Sequence, residues 1–445
     1  MVVGYDTRYG SHVFARTAAE VFAGAGVEVT LLPAPTPTQL VPYLVKKKGL
    51  DGGVMITASH NPASYNGYKV YGRSGSQIRG AAERAIEEGI WEVTDPLAVP
   101  RVNVRPTTDQ QRHYIEDVVG LVDPGQADLL RVNTERAELK IAYTPLHGVG
   151  GDVLRSALQT AGFAQTWPVT AQLHPDPTFP TLNFPNPQEP GATDLLLDLG
   201  KQVDADILIA LDPDADRCAI GTKVDGEHRM LTADELGPLL ATRIVPEGGR
   251  VAASAVSSQL LALIAKDRGW QFTETLTGFK NLMSGPDLDF AYEEADGISP
   301  APRLVADKDG IATALVTCAW AAELRNRGGG LADELAQLHR KYGVFLSKQF
   351  GVRTSWPEDL VDDLRRHTPE TLVGLPVNAS DLPEGQGVRL VAEGSQGSVR
   401  AIARLSGTES LVKVYLEVSK AESRATAKRL LSQLEVDAKA MMSRL

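Results

Sequence analysis

The sequence predicts an α/β fold built from a repeated unit. Short apolar runs rich in Val and Ile alternate along the chain with segments of helical period. Each apolar run leads into a loop of Gly, Ser, Asp, Asn or Pro, and a helix usually follows. This alternation is typical of parallel sheets covered by helices, and its recurrence indicates that one unit is used more than once.

Six apolar runs are strand candidates. In chain order they are VEVTLLP (27–33), GGVMIT (52–57), LKIAYTP (139–145), ADILIALD (205–212), RVAASAV (250–256) and FTETL (272–276). The stretch PDPTFPTLNFPNPQEP (175–190) is too rich in proline for regular structure, so we expect an extended surface segment. It could contact substrate or merely connect two elements.

The last part of the chain has a different pattern. A strand, a loop, a second strand and one long amphipathic helix from about Lys420 to Leu445 predict an α+β module. Together these changes of pattern put domain boundaries near 135, 237 and 347. The predicted domains are residues 1–135, 136–236, 237–346 and 347–445.

Composition excludes several classes of protein. The chain has 445 residues, with 45 Lys plus Arg against 56 Asp plus Glu and a formal net charge of -11, which argues against a general affinity for nucleic acid or anionic membrane. Its two cysteines cannot form a disulfide framework and suit a reducing cytosol. No apolar run approaches the roughly 20 residues of a membrane span, and no apolar signal segment opens the chain, so we expect a cytoplasmic protein.

The stretch VMITASHNP ends a predicted buried strand on Ser59 and His60. Ligands of open parallel sheets collect at the carboxyl ends of strands, so a reacting group would be exposed there. NGYK returns Lys69 towards the same region and GYDTR ends another strand with Arg8, and two cations near a serine suggest a phosphate. The alternative is an ordinary turn, in which Ser and Asn satisfy backbone groups and Pro fixes the bend.

The stretch ILIALDPDADR places three aspartates at alternate positions after an apolar strand: Asp212, Asp214 and Asp216. Concentrated carboxylates repel one another unless a hard cation such as Mg²⁺ neutralises them, so a metal site is the economical explanation. An EF-hand is excluded, because its sixth position would be Arg217 and its twelfth Lys223. A solvated acidic turn is the alternative.

The stretch FAYEEADGI, followed by ADKDG, offers groups that suit a sugar phosphate. Glu293 and Glu294 could accept hydrogen bonds from hydroxyls, and Lys308 could hold phosphate or move a proton. Glutamate pairs are more often solvated surface, which is the alternative.

The stretch RLSGTES combines one cation, hydroxyl side chains and a flexible glycine between two strands. A phosphate cradle is built in this way, and the residues that would form it are Arg404, Ser406, Gly407 and Thr408. A plain hairpin turn is the alternative.

Taken together and in this order, the loops resemble those of the α-D-phosphohexomutase family over nearly the whole chain. TASHNP (57–62) looks like its phosphoserine loop, DPDADR (212–217) its metal loop, EEADG (293–297) its sugar loop and RLSGTES (404–410) its phosphate loop. Matches at GYDTR, NGYK, TLTGFK and DKDG make the chain most similar to the phosphoglucomutase and phosphomannomutase branch that includes phosphopentomutases. The resemblance implies three α/β domains of one topology, with mixed and mostly parallel sheets, and a C-terminal α+β domain around a central cleft.

The resemblance also implies a reaction. Phosphate would move between the 1-position and the 6-position of a hexose, or the 5-position of a pentose, through a phosphoserine and a sugar bisphosphate that is both intermediate and activator. The implied catalytic residues are Ser59, His60, Arg8, Lys69 and Lys308, with His60 supporting the loop rather than acting as a base. The implied ligands of one Mg²⁺ per chain are Ser59, Asp212, Asp214 and Asp216. The implied substrate-binding residues are Arg217, Thr277, Gly278, Lys280, Glu293, Ala295, Arg404, Ser406, Gly407 and Thr408.

Two departures from the family pattern lead to expectations of their own. Ala295 stands where many relatives have serine, so the sugar can be glucose, mannose or pentose phosphate. Relatives usually have a strand, a Gly-rich loop and a helix before the segment equivalent to VVGYDTR, so we expect a truncated first domain with reduced stability over residues 1–35. Arg8 should suffer most from fraying. The protein is expected to be a monomer or a homodimer.

Two other classes of protein stay open at this point. The strand that ends in Asp212 and Asp214 also resembles the aspartate-nucleophile loop of haloacid-dehalogenase-like phosphatases, in which Asp212 rather than Ser59 would be phosphorylated. A non-catalytic sugar-phosphate binding protein would keep the phosphate loop without turnover.

Overall fold

A computed structural model describes residues 1–108, 110–123, 125, 128–285, 287–406 and 410–444. The chain forms two compact units. The first contains residues 1–251 and 278–332, and the second contains residues 252–277 and 333–445. Within the described ranges, no helix has the length and apolar character that a membrane span requires.

Residues 1–98 form the first α/β region. Its elements are β1 (Val2–Tyr5), α1 (Ser11–Gly24), β2 (Thr30–Leu31), α2 (Leu40–Lys48), β3 (Gly52–Ile56), β4 (Tyr68–Gly72) and α3 (Ala81–Glu92). The strand order is β2-β1-β3-β4, with β1 parallel to β2 and β3, and β4 antiparallel to β3. Alternate residues of a strand point to opposite faces, so Val3 packs against α1 whereas Gly4 lies against Val41 of α2. Helices therefore cover both faces of this sheet.

The first strand is held on both sides. Since β1 pairs with both β2 and β3, and Arg8 is only 2% exposed, the structure gives Arg8 a defined position, and its fraying stays a prediction. Reduced stability of residues 1–35 stays a prediction, which hydrogen exchange over this range would test.

A second α/β region follows. Its elements are α4 (Gln111–Gly120), α5 (Leu129–Glu138), β5 (Ile141–Thr144), α6 (Gly150–Thr160), β6 (Thr166–Pro168), α7 (Asp194–Val203), β7 (Ile207–Leu211), β8 (Cys218–Val224) and β9 (Glu227–Met230). In the order β6-β5-β7-β8-β9, β5 is parallel to β6 and β7, and the remaining pairs are antiparallel. The metal loop joins β7 to β8. Every residue of β7 is buried, as the apolar sequence predicts for a central strand.

The α/β alternation continues to residue 342. Its elements are α8 (Ala233–Ile244), β10 (Arg250–Ser254), α9 (Leu260–Arg268), β11 (Gln271–Thr275), α10 (Phe279–Leu282), β12 (Phe290–Glu293), β13 (Gly297–Ser299), α11 (Gly310–Asn326) and α12 (Leu331–Tyr342). In the first unit, β12 and β13 form an antiparallel hairpin around the sugar loop. Helix α11 is buried along most of its length against α4, α5 and α6.

The C-terminal part of the second unit is antiparallel. Its elements are β14 (Val344–Arg353), α13 (Pro357–Arg366), β15 (Thr371–Leu372), β16 (Leu375–Pro376), β17 (Asn378–Asp381), β18 (Gly387–Ala392), β19 (Ser398–Leu405), β20 (Leu411–Ala421) and α14 (Arg424–Arg444). The sheet has the order β14-β20-β19-β18-β17, and α13 and α14 cover it with an apolar core between.

The structure confirms the predicted fold class, with α/β regions of mixed sheets followed by an α+β module. Each of the six strand candidates contains a strand, and the long final helix begins four residues later than predicted, at Arg424. The segment 175–190, all of which is described, contains neither helix nor strand, as its prolines predict. The domain limits near 135, 237 and 347 and the central cleft stay predictions.

Candidate active site

Three buried carboxylates follow β7. Asp212, Asp214 and Asp216 are all 0% exposed, and each offers one oxygen such that these oxygens lie within 4.8 Å of one another. The turn between them requires a left-handed backbone at Ala215, with φ 59°. The alternation of the three aspartates in the sequence thus becomes a single cluster, and the solvated acidic turn is excluded.

Asp212 and Asp214 differ in how strongly their surroundings stabilise the ionised carboxylate. Lys69 Nζ lies 2.7 Å from Asp214 Oδ2 and 2.8 Å from Asp216 Oδ2, and Thr38 donates to Asp214 over 2.5 Å. Burial opposes ionisation of Asp214, but Lys69 and Thr38 outweigh it and hold the pKa of that carboxyl below its usual range. Burial and the two neighbouring aspartates raise the pKa of Asp212 well above its usual range. Asp214 is therefore the carboxylate that is stabilised as an ion, whereas Asp212 carries the repulsion.

The donor set fits a hard divalent cation such as Mg²⁺. Asp214 Oδ1 and Asp216 Oδ1 are buried without a hydrogen-bond partner among the described residues. Buried carboxylate oxygens are costly to leave unsatisfied, and Mg²⁺ prefers oxygen ligands.

Two glycines let the metal loop pack closely on its neighbours. A Cβ on Gly148 would come within 2.3 Å of the Pro213 backbone, and a Cβ on Gly310 would come within 2.6 Å of the carbonyl oxygens of Ala215 and Arg217. The peptide N–H of Val149 also donates to the Pro213 carbonyl over 2.8 Å. Backbone contacts from two other elements therefore hold the metal loop in place.

The phosphoserine loop brings Ser59 to the metal loop. Its backbone turns sharply there, with φ 50° at Ser59, and Thr57 Oγ1 accepts a hydrogen bond from the Ser59 N–H over 2.9 Å. The partly exposed Ser59 hydroxyl donates to Asp212 Oδ2 over 2.9 Å. The left-handed turn thus presents the Ser59 hydroxyl at the rim of the carboxylate cluster.

Arg8 supports the phosphoserine loop. Its guanidinium donates to the carbonyl oxygens of Ser59 (2.6 Å), Asn61 (2.6 Å), Pro62 (2.8 Å) and Tyr65 (3.1 Å). Its Nε lies 3.2 Å from Asp6 Oδ2. With its donors directed at the backbone, Arg8 positions the loop in this structure, and its predicted part in charge stabilisation stays a prediction.

His60 lies in an environment that favours an uncharged imidazole. Burial, with a further contribution from Arg217, lowers its pKa to about 2. Its Nδ1 lies 3.5 Å from Ser59 Oγ, at the limit of a hydrogen bond, and its ring lies 6.4 Å from that of Phe184. The imidazole is therefore uncharged at neutral pH.

Two further cations lie beside the carboxylate cluster, and one of them, Lys308, also approaches the sugar loop. Lys308 Nζ lies 3.4 Å from Asp216 Oδ2 and 3.9 Å from Glu293 Oε1. Burial opposes its charge, but these carboxylates prevail and raise the pKa of Lys308. Arg217 Nε lies 3.8 Å from Asp212 Oδ2. Both cations are charged and face the cluster.

Other predicted substrate-binding residues are placed less closely. Gly278 donates its N–H to Glu293 Oε2 over 3.2 Å, and Ala295 is partly buried in the sugar loop. Lys280 forms a salt bridge of 3.1 Å with Glu83 of α3, and its side chain is 40% exposed. These three residues lie in the first unit.

The remaining predicted residues belong to the second unit or lie outside the described residues. Thr277 and Ser406 lie in the second unit, as does Arg404, which donates to the Leu405 carbonyl over 2.9 Å and stacks 5.7 Å from the Tyr415 ring centroid. Gly407 and Thr408 lie outside the described residues.

Sequence reasoning missed two polar residues of the site. Thr38, in the stretch APTPTQ, bonds Asp214 through its hydroxyl and through its own N–H, which donates to the Asp214 carbonyl over 2.9 Å. Asp307, directly before Lys308, accepts hydrogen bonds from Tyr71 (2.9 Å) and Gln77 (2.8 Å). For Asp307 its place in DKDG was a signal, whereas nothing local in APTPTQ indicates a role for Thr38.

Comparison with known families matches three consecutive domains. Residues 1–96, 112–226 and 232–342 match the family domains described as "Phosphoglucomutase/phosphomannomutase, alpha/beta/alpha domain" I, II and III, respectively.

Individual proteins show the same similarity. A Haemophilus influenzae protein named "Probable phosphomannomutase" is 36% identical, over 98% of this chain and 91% of its own length. A Schizosaccharomyces pombe protein named "Probable phosphoribomutase" is 33% identical, over 94% of this chain and 78% of its own length. A crystal structure of a Burkholderia thailandensis "Phosphoglucomutase/phosphomannomutase family protein" superposes with a TM-score of 0.75 over 99% of this chain and 89% of that chain, at 21% identity, and so shows the common fold.

The sequence similarity covers at least 94% of this chain and at least 78% of each of the two relatives, which are phosphomutases, enzymes that transfer phosphate within a molecule. This chain therefore belongs to the phosphoglucomutase/phosphomannomutase family, the α-D-phosphohexomutases, and is an enzyme of the phosphomutase class.

Proposed function

We propose that the protein is a phosphosugar mutase that moves phosphate between the 1- and 6-positions of a hexose through a phosphoserine at Ser59. The observation that carries the proposal is the placement of the Ser59 hydroxyl, 2.9 Å from Asp212 Oδ2 at the rim of a fully buried carboxylate cluster. A hydroxyl held beside such a cluster suits a phosphoryl carrier.

Ser59 alternates between two covalent states in this proposal. Phosphoserine gives its phosphoryl group to the free hydroxyl of a sugar monophosphate: the bond from phosphorus to the Ser59 oxygen breaks, and a bond to the sugar oxygen forms. The sugar bisphosphate then returns its other phosphoryl group to Ser59, which leaves the isomeric monophosphate. Each transfer removes one proton from the attacking hydroxyl and delivers one to the departing oxygen.

A Mg²⁺ ion would be held by Asp212, Asp214, Asp216 and the phosphorylated Ser59, where it would neutralise charge on the transferring phosphoryl group. The buried oxygens of Asp214 and Asp216 support this assignment, because they have no hydrogen-bond partner among the described residues. Lys69 bonds Oδ2 of both Asp214 and Asp216 and so fixes the orientation of these two carboxylates.

The cations near Ser59 would stabilise the negative charge of the phosphoryl group and supply the proton that the departing oxygen needs. Lys308, 3.4 Å from Asp216, and Arg217, 3.8 Å from Asp212, are placed to stabilise negative charge on the phosphoryl oxygens. Lys308 also lies 3.9 Å from Glu293, which would accept hydrogen bonds from sugar hydroxyls, so its ammonium is our candidate for the proton donor to the departing oxygen. Lys69 is the second candidate.

The non-reacting phosphate requires a separate set of donors. Arg404 and Ser406 keep this proposed role, together with Gly407 and Thr408, because a cation and hydroxyls beside a glycine suit a phosphate. Lys280 is proposed to assist, since its partly exposed ammonium is free to exchange Glu83 for phosphate. Thr277 and Gly278 would help to shape the sugar site.

A pentose phosphate is the second candidate substrate. The similarity to a protein named "Probable phosphoribomutase" favours it, and so does Ala295, which cannot offer the hydroxyl contact of a serine. The bisphosphate of the preferred sugar is the proposed activator.

The experiment is a mutase assay with glucose, mannose and ribose 1-phosphates on wild-type protein and on Ser59→Ala, with Mg²⁺ present. Because Ser59 would be the covalent relay, Ser59→Ala should lose turnover while sugar-phosphate binding, measured by calorimetry, survives. Ser432→Ala, on the exposed side of α14, is the matched control and should keep wild-type turnover. Substrate binding without turnover of any of the three sugars by the wild type would instead support a non-catalytic binding protein.

A further inference from the structure

The Pro-rich segment 175–190 is firmly attached to the loop that follows β5, although it lacks regular structure throughout its described length. The Asp176 N–H donates to the His147 carbonyl over 2.9 Å. Thr181 Oγ1 lies 2.8 Å from His147 Nε2 and accepts a hydrogen bond from Gln172 over 3.0 Å. The segment therefore has a fixed base on the second sheet.

One residue of the segment is strained and buried. Phe179 has φ 48°, a left-handed backbone that a bulky side chain rarely adopts, and it is only 2% exposed. Its ring centroid lies 5.1 Å from Arg8 Cζ, within the range of a cation–π contact. Such strain persists where the surroundings require it, and here it places an aromatic face on the guanidinium that holds the phosphoserine loop.

A second residue of the segment holds the sugar loop. Gln188 Nε2 donates to the Glu294 carbonyl over 2.7 Å. The Gln188 N–H in turn donates to Asn186 Oδ1 over 3.2 Å, which fixes the backbone of this residue. The Gln188 side chain thus holds the residue directly before Ala295.

We propose that Phe179 and Gln188 are positioning residues of the phosphosugar reaction, which hold the phosphoserine loop and the sugar loop in register from one fixed segment. This inference rests on the proposed function. Phosphoryl transfer depends on placing the attacking and accepting oxygens, and small displacements of either loop reduce the rate. Phe179 acts through Arg8 on the loop that bears Ser59, whereas Gln188 acts through Glu294 on the loop that would bind the sugar hydroxyls.

The two residues should therefore affect different kinetic constants. Phe179→Leu keeps an apolar side chain but loses the cation–π contact, so we expect kcat to fall about tenfold with little change in KM. Gln188→Glu keeps the shape but loses the donor to the Glu294 carbonyl, so we expect KM for the sugar phosphate to rise about tenfold with little change in kcat. Gln188→Asn, which keeps the donor on a shorter side chain, should recover part of the loss.

The test measures kcat, KM and melting temperature for these variants, together with hydrogen exchange over residues 57–66 and 293–297. Gln337→Ala on α12 and Phe350→Leu on β14 are the matched controls from the second unit. Faster exchange should be confined to residues 57–66 in Phe179→Leu and to residues 293–297 in Gln188→Glu.

Wild-type kinetic constants and wild-type exchange in both variants would overturn the proposal. A lower melting temperature with unchanged kinetic constants would also overturn it, because that result describes a purely structural role. The exchange measurement does not depend on turnover, so it decides the positioning role even if the wild type acts on none of the three sugar phosphates and the proposed function fails.

Discussion

The metal loop and the phosphoserine loop both follow a buried strand, yet they are held in opposite ways. The metal loop is fixed by close backbone packing, which the missing side chains of Gly148 and Gly310 permit, and its carboxylates are fully buried. The phosphoserine loop is partly exposed, and one side chain, Arg8, holds its carbonyl oxygens. In the proposed reaction, a closely packed loop would therefore hold the metal, and a loop held largely through Arg8 would carry the transferred phosphoryl group.

The largest effect should come from the metal loop itself. Asp214→Asn and Asp212→Asn each remove one proposed Mg²⁺ ligand, so each should lower kcat about 100- to 1,000-fold. Without metal their stabilities should differ. Asp214→Asn loses the ion pair with Lys69 and should lower the melting temperature, whereas Asp212→Asn relieves repulsion and should not.

The measurement is the melting temperature of both variants in chelator, beside turnover in Mg²⁺. If both variants melt alike, the unequal electrostatics of the cluster are misassigned. If the wild type keeps full turnover after chelation, the metal site is wrong.

A change in backbone packing should come next. Gly148→Ala puts a methyl group within 2.3 Å of the Pro213 backbone and must displace the metal loop, so kcat should fall about 100-fold and Mg²⁺ affinity should weaken. Gly89→Ala is the control, because a Cβ on this α3 residue meets nothing within 4 Å. Calorimetric titration with Mg²⁺ gives a readout apart from turnover, and unaltered affinity in Gly148→Ala would mean that the loop does not depend on this contact.

The hydrogen bonds from Arg8 to the phosphoserine loop can be weakened separately. Lysine cannot reproduce the forked donors of arginine, so Arg8→Lys leaves several carbonyl oxygens unsatisfied and should lower kcat about tenfold while Mg²⁺ affinity stays unchanged. Arg155→Lys, on the exposed face of α6, is the control. Equal losses of Mg²⁺ affinity in Arg8→Lys and Gly148→Ala would show that the metal loop and the phosphoserine loop are not held independently.

The smallest effect concerns pH. The pKa of His60 is lowered to about 2 by burial and Arg217, so below its ordinary value near 6.5 the unfolded chain binds a proton that the folded chain does not. His60 therefore reduces stability as pH falls through 6.5, by at most about 2 kcal/mol at pH 5. His60→Gln should narrow the difference in unfolding free energy between pH 7.5 and pH 5 by that amount. Denaturant titrations at the two pH values measure the unfolding free energies. If these change with pH by the same amount in the wild type and in His60→Gln, the pKa of His60 is not lowered.

The sequence was informative where the chemistry is local. Alternating aspartates after an apolar strand, and a serine before His-Asn-Pro, are visible within a few residues, and the structure brings both to one place. The support of Arg8 for four carbonyl oxygens was not visible, because those partners are more than 50 positions away. Gly148 was missed for the same reason, since a close approach between two loops leaves no local pattern.

The central claim, that Ser59 carries the phosphoryl group, is tested most directly by intact mass and phosphopeptide mapping of protein incubated with a labelled sugar bisphosphate. We expect one phosphate per chain on the peptide that contains Ser59, and none after Ser59→Ala. Label on the peptide that contains Asp212, together with full turnover of Ser59→Ala, would contradict the role of Ser59 and favour a phosphatase-like aspartate nucleophile.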